Sequence, residues 1–255
     1  MVWRGGAAVV VACGLAACGR AHFDPLADAA VPADAAPNAD ADPLSALDDP
    51  FDGTSLDPSW SVLNGNELTT FTETGGQLVM EQTGPIGYWY GSGQGPFVYK
   101  QVAGNVAMTA SVTMVGAANQ TAPPPAPTWA IGGIMGRQET PIENWVWIGI
   151  GTPNGMGTIG GEHKTTVAST TIVTVFPWAS TTALIRFCRV GTHVFVLDNA
   201  GTGWTLEHDY DRPDLAPALQ LGMIAGVYSG PADLRVTFDS ITFRTPASPA
   251  DCMLP

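Results

Sequence analysis

The sequence predicts an all-β protein, a two-sheet antiparallel jelly-roll β-sandwich. Three observations lead there. From Phe51 onward no segment of useful length carries the 3.6-residue apolar period of a helix. Short runs of Val, Ile, Thr and aromatic residues alternate instead with Gly, Pro, Asn and Asp breaks. About a dozen such runs fill one domain-sized stretch, which suggests two packed sheets.

In chain order, strands are expected at residues 77–82, 87–90, 97–102, 106–115, 130–137, 145–150, 165–175, 183–190, 193–197, 204–208, 219–227 and 234–244. Turn residues separate them: Gly75-Gly76, Gly91-Ser92-Gly93, Pro153-Asn154-Gly155, Asn199-Ala200-Gly201 and Ser229-Gly230-Pro231. Gly160-Gly161-Glu162-His163-Lys164 reads as a further turn, and the proline-rich 121–127 as a stiff surface loop. In the last strand Leu234, Val236 and Phe238 share a face, and the apolar set then shifts to Ile241 and Phe243. A bulge near Asp239-Ser240 would produce that shift.

The N-terminus carries an address. Arg4 precedes an apolar stretch from Gly5 to Leu15, too short to span a bilayer as a helix. Leu15-Ala16-Ala17-Cys18-Gly19 follows, and it resembles a bacterial lipobox. That resemblance implies a signal peptide over 1–17, cleavage before Cys18 and acylation of its thiol and new amine. Two or more acyl chains hold a protein stably at a membrane. Gly19 rather than Asp after the cysteine favours the outer membrane, by resemblance to enterobacterial sorting. Residues 18–47 then read as a disordered tether: Ala, Asp and Pro dominate, and little is available to bury. No Lys or Arg occurs between Ala21 and Tyr99, so anionic lipid would repel the tether. The sandwich is expected over 48–255.

Composition bounds the partners. With 10 basic and 23 acidic residues the chain has a net charge of −13, which argues against nucleic acid. Of four cysteines, Cys13 leaves with the signal and Cys18 takes lipid. Cys188 and Cys252 remain in a compartment that permits disulfides; they pair, or stay as two free thiols. Neither CxxC nor HxH spacing occurs, so no zinc-type site is expected.

Taken in order, several segments resemble concanavalin A-like sandwich domains, especially the modules C-terminal to some β-xylosidases. They are Phe51-Asp52-Gly53-Thr54-Ser55-Leu56-Asp57-Pro58-Ser59-Trp60, Gly75-Gly76-Gln77-Leu78, Gly132-Gly133-Ile134-Met135-Gly136-Arg137, Trp145-Val146-Trp147, the run from Leu184 to Gly191, Gly203-Trp204 and Phe238-Asp239-Ser240-Ile241. The resemblance covers nearly all of 50–245. It implies the fold more than the function, because this sandwich hosts lectins, hydrolases and structural modules.

Candidate site residues follow from strand alternation. Trp145 and Trp147 point one way, with Val146, Ile148 and Ile150 the other way toward a core. Two exposed indoles would make a carbohydrate platform; covered by a neighbouring loop, they are core. Tyr88 and Tyr90 similarly oppose Trp89. Arg137 donates to sugar hydroxyls, or pairs with Glu139 or Glu143. No cofactor is required. The resemblance allows a structural calcium between Asp52 and Asp239, on first and last strands that lie side by side; the alternative is two solvated strand-end acids. Glu207, Asp209 and Asp211 would share a face and resemble the Glu-x-Asp-x-Glu motif of laminarinase-like sandwiches, with Asp in last place. Catalysis there is not expected. The reading is a lipid-anchored envelope protein whose sandwich binds a polysaccharide or glycan, or else serves as a structural or protein-interaction module of the envelope, with a glycoside hydrolase behind both.

Overall fold

β-Branched and aromatic residues at every second position make strands with one face to bury, and two such sheets bury their faces against each other. The computed structural model of the chain describes residues 42–84, 87–153 and 157–255. Its strands are β1 (Ser61–Leu63), β2 (Thr70–Thr74), β3 (Gln77–Gln82), β4 (Phe97–Ala103), β5 (Val106–Val115), β6 (Trp129–Gln138), β7 (Asn144–Gly151), β8 (Gly160–Val167), β9 (Thr170–Phe176), β10 (Thr182–Val190), β11 (His193–Asn199), β12 (Trp204–Asp211), β13 (Ala218–Ser229) and β14 (Leu234–Arg244). They form two seven-stranded sheets of order β1-β4-β13-β6-β7-β8-β9 and β12-β11-β10-β5-β14-β3-β2. Every pairing is antiparallel. This is the expected all-β sandwich.

The first sheet, here the front sheet, contributes Val98, Ile134, Val146, Ile148, Leu221 and Met223 to the core. The back sheet contributes Leu78, Met108, Val112, Phe187, Val236 and Phe238. Close approach of the sheets depends on Gly136, where a Cβ would lie 2.4 Å from the Phe187 ring. The bulge falls where the apolar shift places it. Phe238 pairs with Val112 and Ser240 with Ser111, leaving Asp239 as the extra residue. Phe238 and Ile241 thereby both reach the core.

Three local readings differ. Residues 165–175 are not one strand but part of the hairpin β8–β9, and the Gly160 to Lys164 segment opens β8 instead of turning. The hairpin turn uses Ala168 and Ser169, both at positive φ (48° and 62°), so it lacks the Gly or Asn that announces such a turn. Residues 87–90 form no strand; they lie on the front sheet as a cover, with the Val227 amide donating to the Gly87 carbonyl at 2.9 Å.

The folded unit also begins before Asp48. Pro43–Leu47 is a short 3-10 helix, and its Leu44 and Leu47 pack on the core. Asp42 accepts from the Thr245 amide at 2.5 Å and from its hydroxyl at 2.8 Å. Next to Thr245, Arg244 donates to the Pro255 carbonyl at 2.8 Å. Both sheets, the core and the disulfide thus lie in one unit, residues 41–255. The signal-peptide segment and Cys18 lie outside the described residues.

Cys188 and Cys252 form a disulfide that ties the C-terminal turn to β10. Arg186 reinforces it, donating to the Cys252 carbonyl at 2.7 Å while its guanidinium lies 3.8 Å from the Trp204 ring centroid.

Candidate functional site

The outer face of the front sheet carries the residues singled out by alternation. Paired positions point the same way, so Trp147 sits beside Met135 and Lys164, and Trp145 beside Arg137 and Thr166. The aliphatics Val146, Ile148 and Ile150 face the core, as expected. The indoles, however, are not a platform: Trp145 and Trp147 are both 0% exposed. The segment 87–96 lies over them and seats Trp89 against Trp145 (6.3 Å between centroids, 86°) and Phe97 (5.8 Å, 73°). Gln94 pins the cover at one point by donating to Glu143 at 2.6 Å, and the Gly91 amide pins it at another on the Thr171 hydroxyl at 2.7 Å. A second apolar cluster of Trp89, Phe97, Met135, Trp145, Trp147 and Ile224 results. The physical reason is area. Two bare indoles would leave several hundred Å² of apolar surface in water, of order what a monomer tolerates in its largest patch.

Arg137 is likewise not free for a ligand. It makes a two-point pair with Glu143 (2.9 and 2.7 Å) and donates to Gln220 at 2.6 Å, all buried. Of the two alternatives for this residue, the Glu143 ion pair is what the structure shows.

No strand forms at 87–90; Trp89 joins the buried indole cluster, while Tyr88 and Tyr90 pack on other aromatic residues. They meet two residues that sequence reasoning missed. Tyr228 stacks edge-on to Tyr88 (4.9 Å) and lies 5.9 Å from Tyr90 and 5.3 Å from Trp129, ring centre to ring centre. Tyr90 and Tyr228 are exposed at 43% and 44%, whereas Tyr88 and Trp129 are half-buried. Beneath them lies the Lys164 ammonium, 4.8 Å from the Trp147 ring centre and 5.9 Å from those of Tyr90 and Trp129. Glu162 completes the floor, 2.7 Å from Lys164 and accepting from the Trp129 indole at 3.4 Å. Burial pulls the Lys164 ammonium below its usual pKa, and Glu162 offsets part of that. The cavity between Tyr88, Trp129, Lys164 and Tyr228 is only about 10 Å³, room for one water. At this cluster a ligand larger than water would rest on the phenol rings rather than enter between them. Alternation does not mark Trp129 or Tyr228, because Trp129 opens β6 and Tyr228 is the unpaired residue at a β6–β13 register shift.

The other expected sites are not assembled. Asp239 accepts from Gln77 (2.6 Å) and Ser111 (2.9 Å). Asp52 lines a separate open cleft with Asp57, Glu73 and Lys100. An N-terminal segment does lie beside β14, but through an Asp49–Ile241 bridge, and Asp49 takes the Trp60 indole N–H at 2.7 Å. Asp52 and Asp239 thus have separate surroundings, and no three His, Cys, Asp or Glu side chains converge as metal ligands among the described residues.

Glu207, Asp209 and Asp211 do not share a face either. A bulge opposite Val196/Leu197 leaves Glu207 unpaired and turns it out of phase with the other two. Asp209 pairs with His193 at 2.9 Å and Asp211 accepts from Thr192 at 2.9 Å. Glu207 instead meets Asp198, and burial together with that neighbour pushes its carboxyl up to about 7. Two of the histidines, far apart in sequence, stack: His163 lies 5.4 Å from His208 and shares a hydrogen bond with the Tyr210 hydroxyl. Burial, then His208, lowers His163 to about 4, so it is neutral at pH 7.

No protein-family model and no curated protein matches the chain in sequence. Solved structures do match in shape. One is a functionally unknown protein from Saccharomyces cerevisiae (TM-score 0.56, 16% identity, 74% of this chain and 98% of that one). Another is the GH43 protein BlXynB from Bacillus licheniformis (0.60, 11%, 78% of this chain and 39% of that one). A third is Rv0315 of Mycobacterium tuberculosis, described as an immunostimulatory antigen and pseudo beta-1,3-glucanase (0.52, 12%, 78% and 98%). The chain thus spans about two fifths of the GH43 protein. With two seven-stranded antiparallel sheets, an Asp49–Ile241 bridge beside the closing strand and these neighbours, the chain has the concanavalin A-like jelly-roll sandwich fold.

Proposed function

We propose that this protein is a carbohydrate-binding module carried by an envelope lipoprotein, and that it meets its glycan on the rings of Tyr90 and Tyr228. One observation carries the reading: Tyr88, Tyr90, Trp129 and Tyr228 gather at one end of the front sheet, with two phenols exposed over a buried Lys–Glu pair. Flat aromatic faces pack on the C–H faces of sugar rings, and phenol hydroxyls exchange hydrogen bonds with sugar hydroxyls. Fold neighbours whose descriptions name carbohydrate-active proteins support a carbohydrate-related role. Binding is favoured over hydrolysis because the acids of this face, Glu143 and Glu162, are held in ion pairs with Arg137 and Lys164.

The test is a glycan array and polysaccharide pull-down with residues 41–255. The Tyr90→Ala/Tyr228→Ala variant is expected to lose at least about tenfold in affinity, the order of one or two aromatic contacts at 1.4 kcal/mol per decade. Binding unchanged in the variant places the site elsewhere. No binding by folded protein across a broad array rejects the glycan reading and favours a protein-contact module, a reading that the loop-covered indoles also favour.

The envelope address rests on the lipobox-like segment. Incorporation of labelled palmitate into the expressed full chain, abolished by Cys18→Ser, is the expected result; an unlabelled wild-type chain argues for an unacylated protein.

A further inference from the structure

We infer that β9 is a self-association edge, at which a second copy of this chain adds its own β9 antiparallel. The inference goes beyond glycan binding and does not depend on it. A strand at a sheet edge leaves a row of N–H and C=O groups unpaired, and proteins blunt such edges with charges, bulges, prolines or brevity.

Three of the four edges here are blunted. β1 is three residues long. β2 carries Glu73, which holds the Gly53 amide at 2.6 Å. β12 carries Glu207, Asp209 and Asp211 and a bulge. The fourth edge, β9, reads Thr170-Thr171-Ile172-Val173-Thr174-Val175-Phe176. It has no charge, proline or glycine, and it pairs with β8 without a register shift. Six of its seven residues are β-branched, the composition that pairs most readily.

The surface around it is unusually apolar. Ile172 is 64% exposed, Val175 45% and the preceding Val167 44%. From Thr165 to Ile185 no residue is ionisable.

The occupant is a second copy because the strand offers it no charge to repel and pairs with its own sequence. Two copies of a chain of net charge −13 repel across acidic faces, but here neutral strand meets neutral strand. The strand also suits itself. About a two-fold axis at Val173, Thr171 faces Val175, Ile172 faces Thr174 and Val173 faces Val173, β-branched against β-branched, with Thr170 opposite Phe176 at the ends. The two front sheets would then run on as one sheet across the axis, an isologous contact that closes as a dimer. Seven residues and their flanks fall short of a standard interface, so a dissociation constant on the order of 10 μM is expected.

Sedimentation of residues 41–255 from about 1 to 200 μM tests it. The wild type is expected to rise from monomer to dimer over that range, with amide exchange in β9 slowing as concentration rises. Ile172→Lys/Thr174→Lys places charges of one sign on both copies and is expected to remain monomeric throughout, with its melting temperature and glycan binding unchanged. Leu206→Lys on the β12 edge is expected to dimerise as the wild type does. A wild type that stays monomeric at every concentration overturns the inference. So does a dimer that survives both lysines, or one that forms while β9 amides exchange at the monomer's rate.

Discussion

Trp89→Ala is expected to destabilise the folded unit by about 3–5 kcal/mol, the range for losing a buried indole. Trp89 is 1% exposed and is the residue through which the covering segment grips the front sheet. Its indole N–H donates to the Pro96 carbonyl at 3.3 Å, so the ring also closes the segment upon itself. With alanine there, Gln94 and Gly91 still hold the segment to Glu143 and Thr171, but nothing fills the space above Trp145 and Phe97. Urea unfolding measures the loss, and acrylamide quenching is expected to rise as Trp145 and Trp147 become reachable. A change below about 1 kcal/mol, with quenching unaltered, would mean that the cover packs without its tryptophan. Trp89→Phe keeps much of the apolar area and is expected to lose distinctly less.

The double substitution Cys188→Ser/Cys252→Ser is expected to cost about 4 kcal/mol. The bonded residues are 64 apart in sequence, and releasing a loop of that length returns about this much entropy to the unfolded chain. More than the bond is at stake. Cys252 sits among Ala107, Phe195 and Leu197 on the outer face of the back sheet, where the C-terminal turn is their lid. Arg186 and Arg244 bind carbonyls of the same turn, so a tail that comes loose strands two guanidinium groups as well. Calorimetry of wild type and double mutant checks the figure. Both sulfurs are buried, Cys188 at 0% and Cys252 at 1% exposure, so reductant is expected to act slowly on the native protein and fast in denaturant. Equal melting temperatures for the two proteins would show that the tail is held by its arginines alone.

How legible each part was in the sequence depended on whether a pattern is local. Strands such as β3 and β5 carry alternation bounded by turn residues, and their limits are read directly. So is the β14 bulge, because it displaces a visible apolar set. The β8–β9 hairpin was hidden because its turn is built from Ala168 and Ser169, which the backbone forces into a region that their side chains disfavour. β1 and β2 are short edge strands with little to bury, and such segments leave no periodic signal.

At the site, alternation, like the structure, places Trp145 and Trp147 on the face opposite the core-facing Val146 and Ile148. It could not say what lay on top of them. Burial of an outward face depends on a segment some fifty residues earlier, a tertiary fact with no local period. Tyr228 and Trp129 became visible only once β6 and β13 were laid side by side. The acids show the converse. Glu207 and Asp209 fit a spacing rule until one bulge residue reversed the facing of the first.

Asp42 and Pro255 are held by neighbouring residues, Thr245 and Arg244. Entrance and exit of the fold therefore share one doorstep. A unit built this way can be spliced into a surface loop of a host protein without prising the loop's stems apart, and its two ends can be joined by a short linker while the chain is opened at another turn. The sandwich is in that sense portable.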